Sequence, residues 1–252
     1  MRTASPLTDT FMAAQAEGRA ALVGYLPAGY PSVDGAVSAL RAMVAAGVDI
    51  ALRADTTTAD VLRTVESVAA TGAPTVVMSY WNPVDRYGVD RFARDLASAG
   101  GVGVITPDLI PDEAAEWSSA ARAQDIDTVF LVAPSSSDER IKLAVGACRG
   151  FVYAASTMGV TGARASVSTA AVTLVSRTRA ATALPVAVGL GVSTAGQAAE
   201  VAGYADGVIV GSAFVRCLLD AADGQSGVRA AAALAADLAA GIRRPQYRQP
   251  VP

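Results

Sequence analysis

Val186-Ala-Val-Gly-Leu-Gly-Val-Ser-Thr-Ala-Gly-Gln-Ala-Ala-Glu-Val-Ala-Gly-Tyr-Ala-Asp-Gly-Val-Ile-Val-Gly-Ser212 sets two short aliphatic runs, Val186–Val188 and Gly207–Val210, on either side of a small-residue helical pattern at Thr194–Val201. β-Branched residues suit a pleated, half-buried surface, and the longer Ala-rich run between them suits a helix. Two strands joined through a helix lie parallel, because only a tight turn returns the chain antiparallel. Glycine follows each run at once, as Gly189-Leu-Gly191 and as Gly211-Ser212.

Read outward, the same alternation fills the chain. Strands are expected at Ala21–Leu26, Val48–Leu52, Thr75–Ser79, Gly103–Ile105, Thr128–Val132 and Phe151–Ala154, ahead of the two already quoted. Helices are expected near Val33–Ala46, Ala59–Ala70, Val89–Ala99, Asp112–Ala123, Asp138–Ala147, Ser166–Ala180, Thr194–Val201 and about Gly227 to Ala240. Cap signals mark several starts: Ser32-Val-Asp, the Thr57-Thr-Ala-Asp60 box, and Pro111-Asp-Glu with acids in the first turn. Eight such units predict an α/β fold, a single (β/α)8 TIM barrel over residues 1–252, against an open doubly wound sheet as the other arrangement. An N-terminal capping helix near Leu7–Gly18 is placed to plug the barrel's bottom, with 1–6 and the proline-rich 243–252 expected to fray.

Composition narrows the function. Of 252 residues, 52% are hydrophobic and 17% charged, which fits a core of small aliphatic side chains. A net charge of −3 offers no basic field for a nucleic acid, so none is expected as a partner. No apolar run is long enough for a bilayer, so no membrane is expected either, and a cytoplasmic protein is. With no histidine, His-ligated metals and Ser-His-Asp triads are excluded, and no metal site is expected. The single lysine, Lys142, sits in a surface-helix pattern. Cys148 and Cys217 read as buried thiols in apolar-periodic stretches. Acid-base work is left to Asp, Glu or Tyr.

Barrels of this type work at the C-terminal ends of their strands. Three glycine-rich loops follow the sixth, seventh and eighth strands: Ser156-Thr-Met-Gly-Val-Thr-Gly162, Gly189-Leu-Gly191-Val-Ser193 and Gly211-Ser212. Close-approaching backbone N–H groups, with a short helix starting at Gly211-Ser212, would make a phosphate cup without a cationic side chain. Asp108, after the fourth strand, puts a carboxylate at the mouth.

Six segments in order carry a resemblance to the tryptophan synthase α-subunit family, particularly its actinobacterial forms: Ala20 to Pro31, Met78-Ser-Tyr-Trp-Asn-Pro83, Pro107-Asp-Leu109, Gly150-Phe-Val-Tyr-Ala-Ala-Ser156, Gly159-Val-Thr-Gly162 and Gly189-Leu-Gly191. The resemblance implies cleavage of indole-3-glycerol phosphate to indole and glyceraldehyde 3-phosphate in tryptophan biosynthesis. It implies a β-subunit partner in an α2β2 complex, docked over the loops after strands two and three, where Trp81 to Tyr87 offers an exposed aromatic stretch. No cofactor is implied in this chain, pyridoxal phosphate being expected only on the β subunit. Gly162, Gly191, Gly211 and Ser212 would bind phosphate, Thr161 would steady the adjoining loop, Tyr25 and Tyr80 would wall the indole pocket, and Tyr153 would stand on the glycerol side.

The family's two catalytic carboxylates are missing. Gly47-Val-Asp-Ile50 resembles the start of the family's second strand, whereas Ala51-Leu-Arg53 resembles the middle of its second helix. The strand end and acidic loop between them are either deleted or carried by the protein and skipped in the sequence as written. Loss of half a strand should damage barrel closure, which argues for the second. Asp49 is no substitute, because it lies three residues before the missing glutamate, on the opposite face of the strand; Asp55 is nearer. No catalytic residue is therefore secure, Asp108 remaining the candidate carboxylate, and a non-catalytic, phosphate-binding subunit that activates a β subunit is the alternative.

Overall fold

The computed structural model describes residues 5–30, 32–54, 57–155 and 169–243. The strands are β1 (Ala21–Pro27), β2 (Ile50–Ala54), β3 (Thr75–Met78), β4 (Gly101–Ile105), β5 (Asp127–Val129), β6 (Leu131–Val132), β7 (Val152–Ala155), β8 (Val186–Gly189) and β9 (Gly207–Val210). All neighbours pair in parallel, in the order β5-β4-β3-β2-β1-β9-β8-β7-β6. β5 and β6 are two pieces of one segment interrupted at Phe130; the first pairs with β4 and the second with β7. The two ends of the ladder thus meet in a single stretch of chain, and the sheet closes as an eight-stranded barrel rather than staying open.

The helices are α1 (Pro6–Ala16), α2 (Val33–Ala45), α3 (Thr58–Ala69), α4 (Trp81–Tyr87), α5 (Val89–Ser98), α6 (Ala115–Ala123), α7 (Asp138–Ala147), α8 (Thr169–Arg179), α9 (Ala195–Ala202), α10 (Ser212–Leu219) and α11 (Gly224–Ile242). Ser32 and Thr57 cap α2 and α3 as their spacing foretold, accepting from the N–H groups of Gly35 and Asp60. Pro111–Glu113 forms a separate 3₁₀ turn rather than the start of α6, because Glu113 and Ala114 bond back three residues, to Ile110 and Pro111. Among the described residues no helix is long and apolar enough to cross a membrane.

Alternation along the strands builds two cores. One residue from nearly every strand points inward: Val23, Ile50, Val76, Ile105, Val129, Ala187 and Ile209, joined by Phe151. Outward neighbours such as Leu22, Leu26, Val77, Val104 and Val208 pack beneath the helices. Helix α1 completes the inner core with Leu7, Phe11 and Ala14. Its docking is at the N-terminal ends of the strands: Phe11 stacks 5.2 Å from Phe151, Thr8 donates to the Gly150 carbonyl at 3.0 Å, and Phe11 lies against Gly207. Burying such a Phe or Leu is worth about 1.5–3 kcal/mol each, so the expected bottom plug is a structural member of the core.

The same end is laced by Arg–Asp pairs. Arg19 grips Asp49 at 2.7 and 2.9 Å, and Asp49 also accepts from Leu22 N–H at 2.7 Å. Asp206 repeats the device at β8–β9, accepting from Arg179 at 2.7 Å and Val186 N–H at 3.0 Å.

β2 runs to Ala54, two residues past the expected strand end at Leu52, although Ala51-Leu-Arg53 resembles the middle of the family's second helix. Val23 to Pro27 pair with Ile50 to Ala54 without a break, and Ala51 to Arg53 pair with β3. The reason is the ladder: β1 and β3 present open backbone donors and acceptors to whatever follows Ile50, and satisfying them keeps the chain extended. The ladder is therefore continuous from β1 through β2 to β3.

Candidate active site at the barrel mouth

The C-terminal ends of the strands gather the expected site residues, and the glycines there explain how. Gly211 follows β9 and caps α10, whose first residue is Ser212, as the short helix was expected to run. A Cβ on Gly211 would sit 2.7 Å from Cδ1 of Tyr25, so the ring of Tyr25 packs close against that backbone. Tyr153, on β7, reaches across to Gly189 at the end of β8. A Cβ there would fall inside the contact distance of the phenol oxygen and 2.9 Å from Cζ. Both rings belong to the inner core. Burial, with Tyr25 close by, pushes the Tyr153 phenol up to about 12, so at neutral pH it is a hydrogen-bond donor and not a base.

Gly191 stands two residues beyond the Gly189–Ile209 pair, with φ +76°, and Gly211 two residues beyond Ile209. The loop at Gly191 and the N-terminus of α10 are therefore neighbours on adjacent strands, an arrangement that offers backbone N–H groups and a partial positive charge to an anion. Thr161, Gly162 and the rest of Ser156–Gly162 lie outside the described residues, as does Asp55.

Tyr80 stands apart from the Tyr25–Tyr153 pair, 63% exposed at the end of β3. The stretch after it is not the open aromatic loop expected from sequence. It is α4, and Trp81 is half-buried, its ring 6.4 Å from Trp117, while Tyr87 donates to Asp95 at 2.9 Å and stacks edge-on against Phe92. Pro83 hid the helix, but proline in a first turn removes only an N–H that would have had no partner. Asp108 is engaged too: both its carboxylate oxygens accept the Trp81 N–H, at 2.9 and 3.1 Å.

Asp49 is confirmed as no acid of the site, being held by Arg19 at the opposite end of the barrel. Position 52, three residues on, is Leu52, in register with Tyr25 and Val76. Cys148 is buried, and desolvation lifts its thiol to about 12, which leaves it inert. Sequence reading missed Gly189 as the seat of Tyr153; the signal was a glycine at the last position of a strand, where a loop glycine is not needed.

The chain matches a family model described as tryptophan synthase alpha chain over residues 48–243. It is 58% identical to the tryptophan synthase alpha chain of Acidothermus cellulolyticus, covering 91% of this chain and 94% of that one. It is 56% identical to that of Salinispora arenicola, covering 94% and 97%. A solved structure of Mycobacterium tuberculosis tryptophan synthase superimposes with a TM-score of 0.88 at 50% identity, covering 95% of this chain and 99% of that one. The first of these alignments spans 253 positions. Since 91% of 252 residues is about 229, about two dozen of those positions have no residue in this chain.

Proposed function

The chain belongs to the tryptophan synthase alpha chain family, and from that premise we propose that its mouth binds indole-3-glycerol phosphate and that its reaction is the retro-aldol release of indole and glyceraldehyde 3-phosphate. The observation that carries the reading is the pairing of two seated aromatic rings, Tyr25 on Gly211 and Tyr153 on Gly189, beside the N-terminus of α10. A phosphate resting on the N–H groups near Gly191, Gly211 and Ser212, with Gly162 completing the cup and Thr161 steadying the adjoining loop, fixes one end of the substrate. The indole then lies against Tyr25, with Tyr80 at the rim, and the Tyr153 phenol donates toward the glycerol. The complex is proposed to be α2β2, with a pyridoxal-phosphate β subunit over the mouth, in the cytoplasm.

Cleavage also needs a proton at indole carbon 3 and negative charge near the ring nitrogen. The positions absent relative to the Acidothermus chain, and Leu52 at the register where the family's glutamate falls, favour a second reading. In it the chain binds the phosphate ester and activates a β subunit without cleaving. Indole release by these 252 residues, with and without β subunit, separates the two. Turnover near that of the Acidothermus chain supports the lyase and shows that other residues supply the acid. Tight binding with release about 10²–10⁴-fold lower, the usual worth of a general acid, supports the second reading. Transplanting the Acidothermus segment at Ile50–Ala51 should then restore release.

A further inference from the structure

The geometry points to Asp108 as a positioning residue that holds Tyr80 at the mouth, and not as an acid of the reaction; the inference rests on the reading that this mouth takes the indole ester. Helix α4 begins without a cap of its own. Its N-cap residue is Tyr80, which offers no side-chain hydrogen bond, and its third residue, Pro83, has no N–H. The cap is imported from 27 residues along the chain: both carboxylate oxygens of Asp108 close on the Trp81 N–H. A carboxylate there also faces the positive end of the helix.

Trp81 is held twice, by Asp108 after β4 at its backbone and by Trp117 of α6 at its ring. On the other side of Tyr80, Ser79 is fixed in the ladder, its N–H on the Ile105 carbonyl at 3.1 Å, and its hydroxyl donates to the Tyr80 carbonyl at 2.9 Å. The Tyr80 backbone is therefore clamped from both flanks while its side chain stays 63% exposed. An exposed ring on a pinned backbone meets a ligand with less ordering entropy to lose. Both oxygens of Asp108 turn toward the Trp81 amide, so its effect on the substrate is assigned to the clamp on Tyr80.

The test compares Asp108→Ala and Asp108→Asn in the full chain, since the asparagine carbonyl still accepts the Trp81 N–H. Hydrogen exchange at the Trp81 amide reads the clamp without substrate, and titration with indole-3-glycerol phosphate reads its consequence. Asp108→Ala should speed that exchange and weaken binding by about tenfold, the scale of one lost cap, and Asp108→Asn should recover most of both. Unchanged exchange or unchanged affinity in Asp108→Ala overturns the inference. So does an asparagine variant that binds as the parent does yet loses indole release, which would make Asp108 a reacting acid. If the parent protein fails to bind the ester, the functional reading falls and the link to substrate falls with it, whereas the exchange arm still reports whether the clamp exists.

Discussion

Gly189→Ala should destabilise the barrel through one side chain, Tyr153. Gly189 does not use a positive φ, so alanine meets no backbone strain, and the cost is overlap alone. The added Cβ would lie 2.9 Å from Cζ and 3.1 Å from Cε1 of Tyr153, with the phenol oxygen closer still. Relief requires the ring to withdraw by roughly an ångström within the close-packed inner core, and overpacking of this kind costs about 1–3 kcal/mol. Loss of unfolded-state freedom on replacing glycine returns about 0.4–1 kcal/mol, leaving a net loss near 1–2 kcal/mol. Tyr153→Phe removes the worst contact and keeps the ring. Urea unfolding of the parent, both single variants and the double variant gives the coupling directly. The double variant should be less destabilised than the two single losses added together by about 1 kcal/mol. Additive losses, or a neutral Gly189→Ala, would refute the claim that this glycine exists to seat the phenol.

Asp49→Ala should lower stability by about 3 kcal/mol, the scale for breaking one side of a buried pair, because it strips Arg19 of a partner in a pair only 8% and 14% exposed; calorimetry should show a fall of roughly 6–12 °C, with phosphate-ester affinity untouched. The Tyr153 phenol titrates at about 12 when folded against an ordinary 10.0. Its contribution is therefore whole below pH 10 and is lost as pH climbs through 12, and Tyr153→Phe should flatten that alkaline decline in urea midpoints. Gly211→Val should weaken ester binding severely by driving into Tyr25, whereas Lys142→Ala, on the surface of α7, should leave it unchanged; equal losses in calorimetric titration would count against the cup.

The barrel was legible because its signals are local. Aliphatic runs of four or five residues, separated by capped Ala-rich stretches, name strand and helix wherever the chain is cut, and boundaries fell within a few residues of β1, β3, β8 and β9. What escaped depends on distant residues. Helix α4 takes its cap from Asp108 and its packing from Trp117, neither visible in Trp81 to Tyr87 alone. Residues 53 and 54 carry β2 beyond its expected end at Leu52 because β1 and β3 flank the segment. Gly189 and Gly211 read as loop glycines near an anion, whereas the structure shows that each also clears space for a tyrosine. The Arg–Asp lacing of the barrel's lower rim left no pattern in sequence, since Arg19 and Asp49, or Arg179 and Asp206, meet only once the strands between them are paired.

Helix α1 has a consequence for the order in which the protein can be made. Its side chains rest on Phe151 and Gly207, and Thr8 reaches Gly150, 142 residues downstream. When α1 leaves the ribosome none of those surfaces has been synthesised. Closing so long a loop is entropically slow to repay, so Leu7 and Phe11 stay without a resting place while most of the wall is translated. Helix α1, translated before the wall, is thus among the last to settle, and a nascent chain stalled before Phe151 would carry its floor unattached.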